Sequence, residues 1–333
     1  MIGIRVDVNK TVATGHILRD LAVARKLREL GQDCLFFSAD EECLPYLEKD
    51  GFSAVILHSD WKRLDSETEV FCAILREKQV HSLLVDSYYV TPSYVKRLSE
   101  ITRVTYFDEL FLQGYGCQQL INGLLEPPDY SGAPGTAFTG PAYVALREEF
   151  EQLPPKEIRP SIQKILVTSG GTDNHHFGLA FLERFLREGQ WKSVRVTLVV
   201  GSLCSDREEL LCRYGGDERV EILVNTSEMA RLLQDADYAV TAGGTTLYEV
   251  CAAGVAASSY VLGDNQVELA KSFARKGLIA FAGDFRTDGQ KTMDNVLAQM
   301  AQAGTAEFRR EKASRLQGIV DGQGARRIAE ILL

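Results

Sequence analysis

The stretch "VATGHILRDLAVARKL", Val12 to Leu27, places a single histidine, His16, between the strand-like run "MIGIRVDV" and a helix-like pattern. A histidine there has two chemical options. It can act as a general base, since its unperturbed pKa of about 6.5 lies near neutral pH, or it can serve only as a donor at the helix start. The polar residues at the other strand ends of this half are Arg5, Asp7 and Asn9, then Asp86, Ser87 and Tyr88 after "LLVD", and Asp108 and Glu109 after "VTYF". Either Asp7 or Asp86 could orient the imidazole.

Three further stretches in the second half open helices at strand ends. In "ILVTSGGTDNHHF", Gly170 and Gly171 permit close backbone approach and Ser169 and Thr172 offer hydroxyls, which suits a phosphate at a helix N-terminus or an ordinary tight turn. It is neither a dinucleotide fingerprint nor a Walker motif. "VTAGGTTLYEVCAAG" repeats the arrangement with Gly243, Gly244, Thr245 and Thr246, and Glu249 follows one turn inside. An ionised carboxylate there could accept both hydroxyls of a ribose or simply favour the helix start. "GDNQVELAKSF" offers the amides of Asn265 and Gln266 to a sugar, a uracil or the helix cap. Taken together, the three starts predict a nucleotide-diphosphate pocket. The adjacent His175 and His176 face different ways and have no third ligand at metal spacing.

These residues need strands and helices to hold them. Short apolar runs alternate with amphipathic segments from "IGIRVDV" to "IAFAG", the pattern of a parallel sheet covered on both faces. In the helix after His16, Ile17, Leu21, Ala24, Leu27 and Leu30 form one stripe with Arg19, Arg25, Lys26 and Arg28 off it, and Gly31 ends it. "EQLPPKEIRPSIQ" has three prolines and no apolar period, which marks a linker. The expected fold class is α/β, two Rossmann-like doubly wound domains facing a cleft. The N-terminal domain is expected over 1–153 and the C-terminal domain, with the nucleotide-diphosphate pocket, over 162–333, with 154–161 as linker and the helical tail able to pack back on the first domain.

Composition narrows the function classes. The chain has 333 residues, 45% hydrophobic and 25% charged, and no run of about 18 apolar residues such as a membrane span needs. A net charge of −9 argues against non-specific nucleic-acid binding, which relies on a basic footprint. Seven scattered cysteines without C-x-x-C spacing predict reduced thiols and no zinc site. No basic region followed by an apolar run opens the sequence, so the expected location is the cytoplasm.

In order along the chain, "RVDVNKTVATGHILRDLAVARKL", "LLVDSYYV", "VTYFDEL", "LING", "GPAYVALREEF", "VTSGGTDNHHF", "TAGGTTLYEVCAAGV" and "DNQVELA" resemble the UDP-2,4-diacetamido-2,4,6-trideoxy-β-L-altropyranose hydrolases of pseudaminic acid biosynthesis. The Gly-Gly and Asn-Gln elements are shared with glycosyltransferase-B proteins similar to the peptidoglycan N-acetylglucosaminyltransferase. The resemblance implies that His16 activates water to attack the anomeric carbon and release UDP, with no metal and no cofactor. It also implies that Arg5, Asp7, Arg19, Tyr88, Tyr143 and Arg147 belong to the substrate site. Gly170, Gly171, Thr172, Gly243, Gly244 and Thr245 would hold the diphosphate, Glu249 the ribose, and Asn265 and Gln266 the sugar or base. Two departures stand out: Ala13 replaces the first glycine of "G-x-GH", and "CAAGVAASSYVL" lacks the proline usual after "G-V". Both leave room for a related nucleotide sugar. A glycosyltransferase using a sugar hydroxyl instead of water, and a nucleotide-sugar binding protein that tolerates loss of His16, are the other expectations.

Overall fold

A computed structural model describes residues 1–9, 12, 14–111, 116–201 and 204–333. Ala13 lies outside the described residues. The chain forms two compact units, Met1–Glu148 with Gly322–Leu333, and Glu149–Asp321.

In the first unit the strands are β1 (Ile2–Val6), β2 (Cys34–Ser38), β3 (Ala54–Ile56), β4 (Ser82–Asp86), β5 (Arg103–Phe107), β6 (Gln119–Asn122) and β7 (Thr136–Thr139). The helices between them are α1 (Gly15–Glu29), α2 (Leu44–Glu48), α3 (Thr68–Glu77) and α4 (Pro92–Ser99). The sheet order is β3-β2-β1-β4-β5-β6-β7, all parallel. Every residue of β1 and β4 is buried, which explains their unbroken apolar runs. Between β1 and β4 the order reverses direction. Their carboxyl ends therefore diverge at a switch point, the place where open α/β sheets bind ligands.

The second unit has strands β8 (Lys164–Thr168), β9 (Arg195–Val200), β10 (Val220–Val224), β11 (Tyr238–Ala242), β12 (Ala257–Val261) and β13 (Ala280–Asp284). Its helices are α5 (Phe177–Arg187), α6 (Arg207–Tyr214), α7 (Met229–Asp235), α8 (Thr246–Ala253), α9 (Asp264–Arg275), α10 (Gly289–Gln302) and α11 (Ala306–Leu316). The order β10-β9-β8-β11-β12-β13, again parallel, puts a second switch point between β8 and β11.

Residues 154–161, expected as a linker, are fastened to this second unit. The Lys156 ammonium donates to the carbonyls of Leu233, Gln234 and Ala236 at the end of α7, and Arg159 donates to Asp235 and Asp237. A cation on the last carbonyls of a helix satisfies groups that no intrahelical N–H reaches.

The last helix, α12 (Gly324–Leu332), returns to the first unit and lies along α1. Its Ile328, Ala329 and Leu332 are fully buried with Ile17, Leu21 and Leu27 of α1. At roughly 1.5–3 kcal/mol per fully buried large aliphatic side chain, this contact contributes substantially to the unit. It also explains why α1 is buried on more than its apolar stripe: Lys26 is covered and pairs with Glu29.

Candidate active site

At the first switch point the imidazole of His16, one residue into α1, faces Asp86 at the end of β4. Its Nδ1 lies 2.5 Å from Asp86 Oδ1. Arg19, one turn further along α1, donates to the same carboxylate from Nε to Oδ2 at 2.6 Å and from Nη2 to Oδ1 at 2.5 Å. Its Nη1 donates to Glu109 Oε1 at 2.5 Å. The guanidinium also lies 4.4 Å over the Phe107 ring. His16 is 5% exposed and Asp86 2%, so these pairs act in a medium of low dielectric.

Burial alone would push the Asp86 carboxyl up, but Arg19 and His16 outweigh it and hold it well below the usual carboxylate range. Glu109 is lowered in the same way, burial being overcome by Arg19 and then His16. Burial would also lower Arg19, yet Asp86 and Glu109 raise it. An ionised Asp86 can only accept, so the hydrogen of this pair sits on Nδ1 of His16. A neutral imidazole held this way is the tautomer a general base requires. Tyr88 meets the imidazole edge-on with centroids 4.6 Å apart, and burial followed by Glu109 raises its phenol, which stays a donor.

The choice between Asp7 and Asp86 is settled by what Asp7 touches. Its Oδ1 accepts from Ala39 N at 2.9 Å and Ser38 Oγ at 3.2 Å and pairs with Arg5. Arg5 is 0% exposed, bidentate to Glu67, which also accepts from Tyr94. Arg5 and Asp7 are therefore committed to ion pairs inside the first unit. Arg19 likewise spends its guanidinium on Asp86 and Glu109. Tyr143 is half-buried against Phe138, in a segment that docks α12: Arg327 donates to Ala142 O at 3.0 Å, and a Cβ on Gly324 would stand 2.1 Å from Val144 O. Arg147 follows in the same segment, partly exposed.

In the second unit the α5 start differs from expectation. Asp173 closes it, Oδ1 accepting from Phe177 N at 2.9 Å and Oδ2 from Gly178 N at 2.8 Å. A carboxylate already fills the place proposed for phosphate. Ser169 is tied to the Tyr260 hydroxyl at 2.7 Å. Gly170 adopts φ 81°, and a Cβ on Gly201 would meet the Gly171 and Gly170 carbonyls at 2.3 and 2.4 Å, so the two loops run backbone against backbone, with Thr172 partly exposed beside them.

The Thr245 side chain makes no cap hydrogen bond at the start of α8, where Leu247 N donates to Gly244 O at 3.0 Å and Tyr248 N to Thr245 O at 2.9 Å. The first residues of α8 follow Gly243, packed against Ala270 and Gln266, and Gly244, whose position would accept a Cβ with no atom within 4 Å. Thr245 is exposed and Glu249 partly buried. Gln266 closes its own loop, Oε1 accepting from Leu262 N at 2.9 Å, while Asn265 is exposed at the start of α9. Among the described residues, no group of three or more His, Cys, Asp or Glu could hold a metal ion, and no helix is long and apolar enough to cross a membrane.

Asp20 was invisible to sequence reasoning. It lies four residues after His16, hence on the same helix face, and that spacing was the only signal.

No family model matches the chain. The spore coat polysaccharide biosynthesis protein SpsG of Bacillus subtilis is 23% identical over 341 residues, 99% of this chain and 97% of that protein. The uncharacterized protein MJ1062 of Methanocaldococcus jannaschii is 23% identical over 271 residues, 76% of this chain and 54% of that protein, so the match spans about half of that relative. Among solved structures, Acinetobacter baumannii MurG superposes with a TM-score of 0.70 at 16% identity, covering 100% of this chain and 99% of that one. The spinosyn rhamnosyltransferase SpnG complexed with thymidine diphosphate gives 0.66 at 13% identity, covering 99% and 100%. The fold is the two-domain glycosyltransferase-B fold. None of these four proteins is named as a hydrolase.

Proposed function

We propose that the protein breaks the bond between the anomeric carbon and the β-phosphate of a UDP-sugar and passes the sugar to an acceptor hydroxyl. The observation that carries this is the His16–Asp86 pair at the first switch point, which engages Nδ1 and turns Nε2 away from the carboxylate. The acceptor O–H gives its proton to Nε2 as its oxygen bonds to the anomeric carbon, and UDP departs with the electron pair of the broken C–O bond. The second unit would hold the nucleotide, with the departing phosphate charge met by the positive end of α8 and the ribose by Glu249. Neighbouring cation and anions suit this chemistry: Arg19 stands against two carboxylates, so a proton gained by His16 brings the group to neutrality. The names of SpsG, a spore coat polysaccharide biosynthesis protein, and SpnG, a rhamnosyltransferase, support a role in building glycans or glycosides.

A second reading, hydrolysis, uses water in place of the acceptor and yields the free sugar and UDP. It is supported by the near-complete burial of His16, which favours a small nucleophile, and by the "GPAYVALREEF" and "DSYYV" elements of the trideoxy-altrose hydrolases. The two readings separate in one assay. UDP release is followed from UDP-2,4-diacetamido-2,4,6-trideoxy-altrose and from UDP-N-acetylglucosamine, with and without sugar acceptors. Release that depends on an acceptor supports transfer, and release without one supports hydrolysis. No release from any UDP-sugar under either condition would sink both.

A further inference from the structure

Asp20 is 0% exposed, and neither of its carboxylate oxygens receives an N–H or O–H. It is one turn beyond His16 on α1, on the helix face that His16 turns towards Asp86. The cation beside it is fully committed, for every nitrogen of the Arg19 guanidinium faces Asp86 or Glu109. An ionised Asp20 beside an ionised Asp86 would leave two buried carboxylates, with the partly exposed Glu109 as a third, against the single guanidinium of Arg19. Like charges so placed do not both ionise, and the proton goes to the less well-solvated member. Asp86 has three donated hydrogens to hold its charge, and Asp20 has none.

We propose that the Asp20 carboxyl keeps its proton and donates it to Asp86 as a hydrogen bond, which makes Asp20 a positioning residue for His16. The inference rests on the reading of His16 as the base. It adds the group that holds the base's partner still: Asp86 accepts from His16 on one side, from Arg19 on another and from Asp20 on a third, and cannot rotate away from Nδ1–H. Burial, then the Asp86 charge, raises the Asp20 carboxyl far above the ordinary range, in agreement. The groups facing it are His16 and Arg19 on its own helix, Asp86 on β4 and Glu109 after β5.

The sign of the linkage follows. The folded protein keeps a proton at Asp20 that the unfolded chain releases above a pH of about 4, the unfolded carboxylate pKa. Stability therefore falls as pH rises from there towards the raised folded value. Asp20→Asn removes this penalty while its amide N–H still donates to Asp86.

The test uses the full chain with three readouts. The infrared C=O stretch of an un-ionised carboxyl is expected in the wild type at pH 7 and absent from Asp20→Asn. The Tm of Asp20→Asn relative to wild type is expected to rise as pH goes from about 4 to neutrality. The downfield proton resonance of His16 Nδ1–H is expected near its wild-type position in Asp20→Asn and shifted or broadened away in Asp20→Leu. With a turned-over UDP-sugar, Asp20→Leu lowers kcat about tenfold with KM little changed, and Asp20→Asn recovers to within about threefold of wild type. No Asp20-dependent carboxyl band, or a pH-independent Tm difference, overturns the proton assignment. An unmoved His16 resonance in Asp20→Leu overturns the positioning role. If Asp20→Leu does not fold, the infrared and Asp20→Asn arms still decide the proton. Because these spectra need no turnover, their success beside an absence of UDP release would discard the proposed function and leave the Asp20 proton in place.

Discussion

At the switch point between β1 and β4 the first unit gathers ionisable side chains from α1, β4 and the loop after β5, whereas the matching point between β8 and β11 offers glycines, hydroxyls and helix-start amides. The same topology thus carries two kinds of site. The first sets one guanidinium against two carboxylates and is closed by its own hydrogen bonds. The second leaves Thr245 without a side-chain cap bond at α8 while filling the start of α5 with Asp173. Under the proposed function, reactive side chains in the first unit and backbone amides in the second would separate chemistry from anion binding, and each can be disturbed alone.

The largest expected effect lies in the first unit. Asp86→Asn deprives Arg19 and His16 of the carboxylate they share and releases the His16 ring. Breaking a buried pair on one side costs about 3–5 kcal/mol, and loss of the orienting carboxylate lowers turnover by as much as roughly 10⁴-fold. Thermal unfolding and UDP release measure the two. The pH dependence has a definite sign as well. Asp86 and Glu109 are held below their ordinary values, so their contribution is complete above the ordinary carboxylate range and is lost as pH falls through the lowered values. Asp86→Asn should therefore lose less stability than wild type on acidification, and an identical acid profile would contradict the cluster's role.

In the second unit the expected effects are smaller and separable. Gly244→Val adds a side chain where the protein leaves open space. Tm should hold while UDP affinity, by calorimetry, weakens about tenfold, or about 1.4 kcal/mol. An unchanged Kd would remove α8 from the nucleotide site. Asp173→Ala should do the reverse, lowering stability by about 1 kcal/mol through loss of the α5 cap and leaving UDP affinity alone. A large loss of affinity in Asp173→Ala would return α5 to the phosphate site and erase the contrast between the two helix starts.

Much of this architecture was legible because fully buried parallel strands write themselves as apolar runs and the helices between them keep their period. β6 and β7 escaped that reading, since no helix crosses between them and β7 is only half-buried. The return of α12 was not resolved by pattern, because it depends on Gly324 fitting against the Val144 backbone far away in the sequence. His16 and Asp86 could be placed at one sheet end from sequence, but the choice of Asp86 over Asp7 could not. It is made by Ser38 and Ala39 on the neighbouring strand, which claim Asp7. Arg5 looked like a ligand residue only because Glu67, its partner across the core, has no local signature. Asp173 was readable in principle as a cap, yet two adjacent glycines drew attention to phosphate instead.

The most direct test of the account compares wild type with His16→Ala in UDP release from UDP-2,4-diacetamido-2,4,6-trideoxy-altrose and UDP-N-acetylglucosamine, with and without acceptor, alongside UDP binding to both proteins. The account predicts release by the wild type, a fall of roughly 10²–10⁴-fold in the variant and equal UDP affinity. Release that survives in His16→Ala, or a wild type that binds UDP and never cleaves a UDP-sugar, would contradict it.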